Sequence, residues 1–168
     1  MLAIMKGKLD AGRALLYQTA RYVDIYKALD DIARERKLTP EERQEQKKYA
    51  KLADSFTPLA KGMNSEYANQ NAYDCIQIHG GSGFMMEYAC QRIYRDARIT
   101  SIYEGTTQLQ TVAAIRYVTN GSYIATIREF EAIPCSPEME PLMSRLKKMA
   151  DKFEASTNAV KEAQDQEL

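Results

Sequence analysis

The feature that most constrains the fold of this chain is a helical spacing of apolar side chains near its start. Within residues 2–36, Tyr22, Ile25, Leu29 and Ile32 follow one another at intervals of three, four and three positions. Because an α-helix repeats about every 3.6 residues, side chains at these intervals line one face. The pattern predicts one long helix over about residues 2–36, with an apolar stripe that packs against another element.

A second helix is predicted to begin just after Thr39. Pro40 occupies the first helical position, and Glu42 lies three residues after the threonine. This is the pattern of a capping box, in which the two side chains accept hydrogen bonds from each other's backbone N–H groups. We expect this helix to run to about Ile78. Pro58 lacks a backbone donor, so a kink or break is expected there.

The later segments are helical in pattern and shorter. Glycines end the second helix, and further helices are expected over about residues 87–98 and 106–118, the latter stopping at Asn120 and Gly121. Prolines then interrupt the chain before an amphipathic segment over about 142–153 and a polar tail, for which we expect disorder.

These segments together indicate the fold class and the domain organisation. No segment alternates apolar and polar residues over the length of a β-strand. The predicted fold is therefore all-α, an up-and-down helical bundle. The length fits one main domain. We expect the bundle to occupy residues 1–121, and a helical extension with the polar tail to occupy residues 122–168.

Charge and hydropathy exclude several classes of function. The chain has 23 basic and 23 acidic side chains and a net charge of zero, so nothing favours broad attraction to nucleic acid or to an anionic membrane. The apolar runs are too short for a membrane-spanning helix, and the first residues lack the pattern of a secretory signal. A soluble, cytoplasmic protein is expected.

The cysteines give no pattern of a disulfide framework or a metal site. Cys75, Cys90 and Cys135 are odd in number, far apart in sequence and without a CxxC pair. We therefore expect buried or idle thiols and no metal. No catalytic role is expected for the single histidine, His79, because a role in packing the turn is commoner for such a residue than acid–base catalysis.

Three motifs in the middle of the chain carry the chemical information. They are QIHGGSGF at residues 77–84, RDARI at residues 95–99 and IYEGTTQLQ at residues 102–110. In this order and spacing they resemble the C-terminal helical domain of FAD-dependent acyl-CoA dehydrogenases, especially the longer members of that family. The resemblance implies an all-α domain and the dehydrogenation of acyl-CoA thioesters in lipid metabolism.

The resemblance implies a catalytic role for Glu104. Removing hydrogen between the α and β carbons of an acyl-CoA requires a base for the α proton and a flavin that accepts hydride from the β carbon. Glu104 matches the family's usual base, and its backbone N–H matches the donor to the thioester carbonyl. Gly105 leaves room for the substrate to approach, so both residues are expected to contact it.

The same resemblance implies cofactor-binding residues in two places. Gln77, Gly80 and Gly81 match a surface that lies against the adenosine diphosphate part of FAD, which in this family is typically the FAD bound mainly by a neighbouring subunit. Thr106 and Gln108 match positions that hydrogen-bond FAD, where the N-terminus of a helix adds donors and a favourable dipole.

The length of the chain limits what it is expected to do alone. Family members also have an N-terminal helical domain and a β-domain, so this chain resembles a fragment that retains one wall of the active site. We expect the isolated chain to be inactive, and the parent enzyme to be a homo-oligomer that passes electrons to an electron-transferring flavoprotein. The alternatives are a non-catalytic helical dimerisation module or part of an acyl-CoA oxidase. A di-iron bundle would need two Glu-x-x-His motifs, which one histidine cannot supply.

Overall fold

The computed structural model describes residues 1–166 of the chain, with side chains described as far as residue 163. These residues contain no strand, and the expected all-α fold is confirmed. None of the described helices combines the length and apolarity needed to cross a bilayer; the cytoplasmic location stays a prediction. The helices in chain order are α1 Leu2–Glu35, α2 Pro40–His79, α3 Gly81–Phe84, α4 Ala89–Ile99, α5 Thr107–Thr119, α6 Ser122–Glu131, a 3-10 helix Pro137–Met139, and α7 Glu140–Gln166.

The structure has two compact units. The first spans Met1–Ala113 and the second begins at Ala114, within α5. The predicted domain boundary after Gly121 stays a prediction, because compact units and domains of a family need not end at the same residue.

The first unit is built on the antiparallel pair α1 and α2. The ring of Tyr22 meets that of Phe56 edge to face, with centroids 5.3 Å apart. The Asn71 side-chain amide donates to the carbonyl of Met5 over 3.3 Å. Contacts that lie earlier on α1 therefore lie later on α2, as antiparallel packing requires. Of the predicted stripe, Tyr22 and Leu29 are buried, which confirms the face of α1 that the spacing indicated.

The predicted capping box of α2 is confirmed. The Thr39 hydroxyl accepts from the Glu42 N–H at 3.2 Å, and the Glu42 carboxylate accepts from the Thr39 N–H at 2.9 Å. The Arg36 guanidinium also donates to both oxygens of Glu42, over 2.6 and 2.8 Å. The hydrogen bond from Arg36, and then that from Thr39, lower the pKa of Glu42 from its usual 4.5 to about 2.

Pro58 does not break α2, which is continuous from Pro40 to His79. The helix turn before the proline has other donors: the Thr57 hydroxyl donates to the Ala53 carbonyl over 2.7 Å, and the Ser55 hydroxyl donates to the Leu52 carbonyl over 2.9 Å. Pro58 itself is buried. The alternative of a break at Pro58 is therefore wrong, and a kink at this proline stays a prediction.

A tight turn leads from α2 into α4. Gly80 ends α2 at φ 60, and a Cβ on Gly83 would lie 2.7 Å from the carbonyl oxygen of Ile76, closer than any side chain allows. The turn returns the chain against α2, where Tyr73 and Tyr94 form an edge-to-face pair with centroids 6.2 Å apart. The helix predicted over about residues 87–98 is present as α4, beginning at Ala89.

The second unit departs most from the sequence-based expectations. An additional helix, α6, begins at Ser122 directly after Gly121, which has φ 78. The last helix runs from Glu140 to Gln166, well beyond the expected 142–153, so the expected disordered tail is helical as far as it is described. Pro141 lies in the first turn of α7, where a missing N–H costs no intrahelical hydrogen bond.

One arginine ties α6 to α7. Arg128 donates to Asp151 and Glu154 of α7, each over 2.7 Å, and to Glu131 of α6 over 2.9 Å. Three carboxylates around one guanidinium raise the pKa of Arg128 above its usual value. This cluster is a structural link, since all its members are charged groups paired with one another.

Candidate functional site

The turn between α4 and α5 has an unusual backbone. Glu104 has φ 51, the only non-glycine residue with positive φ in the described part of the chain, and Gly105 follows with φ 93. For a residue with a Cβ, this left-handed conformation costs about 1–2 kcal/mol. Strained residues of this kind persist where surrounding contacts hold them and occur often at functional sites.

Side chains from α2 and α5 hold this turn in place. Lys61 Nζ donates to the carbonyl oxygen of Gly105, and its ammonium lies 5.9 Å from the centre of the Tyr103 ring. Gln110 Nε2 donates to the carbonyl oxygen of Glu104 over 3.2 Å. A Cβ on Gly105 would lie 2.6 Å from that same Nε2 atom. Position 105 therefore requires glycine for its φ, while the space for a Cβ depends on a shift of the flexible Gln110 side chain.

Glu104 presents two free groups to a ligand. Its side chain is exposed, and no salt bridge within the described residues involves it. No described residue accepts a hydrogen bond from its backbone N–H, although Ile102 and Tyr103 next to it both donate to Ile99. A carboxylate base and a carbonyl-binding donor are thus available on one residue.

A cavity of about 610 Å³ lies between α1, α2 and this turn, and Glu104 forms part of its wall. We call it the α1–α2 cavity. Its volume is within the usual range for small-molecule sites, about 300–1,000 Å³. The surface of its wall is mainly apolar, although many of the lining residues are polar, and the cationic ones are Lys8, Arg13 and Lys61. Leu9, Leu16, Ala60 and Ala68 contribute aliphatic side chains, and Tyr103 and Glu104 come from the turn.

A second cavity, of about 500 Å³, lies on the other side of the same turn and includes Thr106 and Gln108. We call it the α2–α4 cavity, because Asn69 of α2 and Arg98 of α4 also line it. The side-chain oxygen of Asn69 is buried and accepts no hydrogen bond within the described structure. A ligand with hydroxyl or N–H groups would supply the missing donor.

The start of α5 separates the two cavities and is firmly held. The Thr106 hydroxyl accepts from the backbone N–H of Leu109 over 3.3 Å, as a helix cap does. Thr107 donates to the Glu66 carboxylate over 2.6 Å. The Thr106 hydroxyl proton is still available to a ligand, since the cap uses only an oxygen lone pair.

The structure places the predicted site residues in three separate groups. Thr106 and Gln108 line the α2–α4 cavity, while Glu104 lines the α1–α2 cavity. Gln77, Gly80 and Gly81 lie at the exposed C-terminal end of α2 and line neither cavity. These three residues thus form a separate surface. Their role as FAD contacts stays a prediction.

Sequence reasoning missed several residues of the site. Lys61, Glu66 and Asn69 all come from α2 and reach a turn roughly forty residues later in the chain. A lysine and a glutamate on a charge-rich helix give no sign of such contacts. The orphaned oxygen of Asn69 is visible only once the helices are packed.

Two family models together cover the chain. One, described as the acyl-CoA dehydrogenase C-terminal domain, matches residues 1–118, and a second, described as acyl-CoA dehydrogenase C terminal, matches residues 119–168. The first includes both cavities and all the predicted site residues. The second covers α6 and α7.

Several curated proteins are similar to the chain over about two thirds of its length. A 3-methylmercaptopropionyl-CoA dehydrogenase of Ruegeria pomeroyi is 37% identical over 66% of this chain and 17% of its own length. The caffeyl-CoA reductase-Etf complex subunit CarC of Acetobacterium woodii is 34% identical over 66% and 23%. A butyryl-CoA dehydrogenase of Syntrophomonas wolfei is 38% identical over 66% and 16%. The matched part of the chain thus spans less than a quarter of each of these relatives.

Proposed function

This chain belongs to the acyl-CoA dehydrogenase family, and we propose that it is the C-terminal part of an FAD-dependent enzyme that dehydrogenates acyl-CoA thioesters. One observation carries this proposal. Glu104, held in a left-handed turn with a free backbone N–H, lies at the wall of a large cavity whose surface is mainly apolar. A base, a carbonyl donor and an apolar pocket are what α,β-dehydrogenation of an acyl chain needs from a protein.

Each group has a defined task in this reaction. The acyl chain lies along the apolar surface of the α1–α2 cavity, and the thioester carbonyl accepts a hydrogen bond from the Glu104 N–H. That bond stabilises negative charge on the carbonyl oxygen as the α proton leaves. The Glu104 carboxylate accepts the proton and becomes a carboxylic acid. Gly105, without a side chain, keeps the approach to the carbonyl open.

Bound FAD would supply the acceptor for the hydride that leaves the β carbon as the carbon–carbon double bond forms. The residues of the α2–α4 cavity fit part of such a cofactor, because the unpaired Asn69 oxygen is an acceptor for a hydroxyl or ring N–H. Thr106 and Gln108 would hydrogen-bond it, and Arg98 would face an anionic group. Gln77, Gly80 and Gly81 would contact a second FAD, held mainly by a neighbouring subunit.

The electron acceptor is proposed to be an electron-transferring flavoprotein. The support is a relative's name: the Acetobacterium woodii protein is described as a subunit of a reductase-Etf complex. In that arrangement a protein partner would take up the electrons removed from the substrate, whereas the acyl-CoA oxidase alternative would use molecular oxygen. Rapid reoxidation of the reduced enzyme in air would favour the oxidase.

The role of Glu104 is tested by Glu104→Gln in the enzyme that contains this chain. Glutamine keeps the size of the side chain and the backbone donor but cannot accept the α proton. Since a positioned base contributes about 10²–10⁴-fold, the rate of flavin bleaching by acyl-CoA should fall by that factor. Glu87→Gln, which removes an exposed carboxylate outside both cavities, should bleach at the wild-type rate. Equal rates for the two variants would disprove the assignment.

A second candidate is a non-catalytic helical module that mediates dimerisation. It is favoured by the large apolar side chains exposed around α3, where Phe84 is 78% and Met86 is 87% exposed. Titration of the 168-residue chain with FAD can exclude the module, because stable binding that acyl-CoA bleaches would mean that the chain forms a working site alone. Self-association without flavin binding is expected of the module and of an isolated enzyme fragment alike. The loss of bleaching by Glu104→Gln in the enzyme that contains this chain then decides between the two.

A further inference from the structure

We propose that Cys75, His79 and Cys90 form a binding site for a Zn²⁺-like divalent cation, linking the end of α2 to the start of α4. Candidate ligand atoms of these three side chains all lie within 4.8 Å of one another. Neither the catalytic role proposed for Glu104 nor the cofactor contacts use any of the three. The inference is therefore independent of the proposed function.

The distances fit a tetrahedral ion better than a disulfide. The Cys75 and Cys90 sulfurs are 3.7 Å apart. Two thiolates bound to one tetrahedral Zn²⁺ at about 2.3 Å each would lie about 3.8 Å apart, whereas a disulfide needs about 2.0 Å. The sulfurs thus already have the separation that the ion requires.

His79 supplies the third ligand from the same helix face as Cys75. The two residues are four positions apart on α2, so their side chains project side by side. His79 Nδ1 lies 3.8 Å from the Cys75 sulfur and 2.8 Å from the Cys75 carbonyl oxygen. Because a carbonyl oxygen only accepts, the Nδ1–H donates to it, and Nε2 is the nitrogen left to bind the ion. His79 is exposed, so solvent can fill a fourth position.

The packing of α2 on α4 fixes the position of Cys90 relative to the other two ligands. Tyr94, one helical turn after Cys90 on α4, forms an edge-to-face pair with Tyr73 of α2. Cys90 itself is buried in the first turn of α4. A helix N-terminus favours a thiolate over a thiol. Binding of the ion would release the protons of both thiols.

The chemistry of the ligands selects the class of ion. Two thiolates and one imidazole are soft and borderline ligands that suit Zn²⁺, and they exclude Mg²⁺ and Ca²⁺, which prefer oxygen. The sequence did not suggest this site because it has no CxxC pair. The spacing Cys75-x₃-His79 becomes meaningful only when the turn at Gly83 returns Cys90 to α2.

The test is a Co²⁺ titration of the reduced, metal-free 168-residue chain, with Zn²⁺ as competitor. We expect one equivalent of Co²⁺ to give the visible absorption of a tetrahedral thiolate complex, and one equivalent of Zn²⁺ to remove it. Because loss of an outer partner alone costs about 10–100-fold in metal affinity, Cys75→Ser and Cys90→Ser should each weaken binding at least about 100-fold. His79→Gln should weaken binding and shift the spectrum.

Cys135→Ser is the matched control, because Cys135 is an exposed thiol in the second unit and should not affect the titration. Circular dichroism checks that each variant keeps its helices. The absence of a thiolate spectrum in the wild-type chain would overturn the proposal without any variant. Undiminished binding in Cys75→Ser would overturn it as well. No flavin or acyl-CoA is needed, so this result does not depend on the outcome for Glu104.

Discussion

At the residue scale, the turn at Glu104 and Gly105 depends on the lack of a Cβ at Gly105. Gly105→Ala would place a Cβ at φ 93 and 2.6 Å from Gln110 Nε2. A left-handed residue with a Cβ costs about 1–2 kcal/mol. The free energy of unfolding of Gly105→Ala, measured with urea, should therefore be lower than that of the wild type by this amount. Gly7→Ala is the control: a Cβ at that position would have no atom within 4 Å, and alanine within a helix should stabilise by about 0.5–1 kcal/mol. Equal effects of both changes would contradict the role of the turn.

Single residues also mark the limit of prediction from sequence. Glu104 and its neighbours were recognisable because the motif around them is local and contiguous. The N–H of Glu104 and the oxygen of Asn69 were not recognisable as unpaired, since pairing depends on where every other polar group lies. Lys61 is the clearest case, because its contact with the carbonyl of Gly105 joins residues that are distant in sequence.

At the element scale, the accuracy of the predictions followed the strength of the local signals. α1 and α2 were predicted nearly to their ends because an apolar stripe and a capping box act within a few residues. Gly121 was interpreted correctly as the end of α5, but it also begins α6, and a stop signal does not reveal the element that comes next. The extent of α7 was underestimated because its polar C-terminal part gives a weak apolar pattern, while Arg128 and its partners add contacts from α6.

The capping box of α2 makes a prediction about pH. The folded-state pKa of Glu42 is lowered to about 2, so the native state favours the charged carboxylate more than the unfolded chain does. This stabilisation is fully present above the usual pKa of 4.5 and is lost as pH falls from there through about 2. Glu42→Gln should therefore reduce stability at neutral pH and flatten its decline below about pH 4.5.

Urea unfolding at a series of pH values measures this effect. Glu41→Gln is the control for Glu42→Gln, because it removes a neighbouring exposed carboxylate that is outside the capping box. The control should keep the wild-type decline of stability with acid. A wild-type decline in Glu42→Gln would mean that its hydrogen bonds with Thr39 and Arg36 do not contribute to stability.

At the scale of the whole molecule, the main feature is that many large apolar side chains are exposed. On α7, Leu142, Leu146 and Met149 are 54%, 38% and 66% exposed, at intervals of four and three residues that place them on one helix face. Contiguous apolar patches beyond a few hundred Å² are uncommon on monomers. We therefore predict that the chain self-associates, with the α7 stripe among the buried surfaces.

Sedimentation of the 168-residue chain over a range of concentrations tests this prediction. The wild-type chain should form dimers or larger species as concentration rises, and Leu142→Glu should shift the equilibrium towards monomer by at least about tenfold, equivalent to about 1.4 kcal/mol. Ser144→Glu adds the same charge at an exposed position two residues away, on the opposite side of the helix, and should associate as the wild type does. A monomeric wild-type chain would disprove self-association. Equal weakening by both variants would show that added charge, rather than the loss of the apolar stripe, is responsible, because only Leu142→Glu removes an apolar contact.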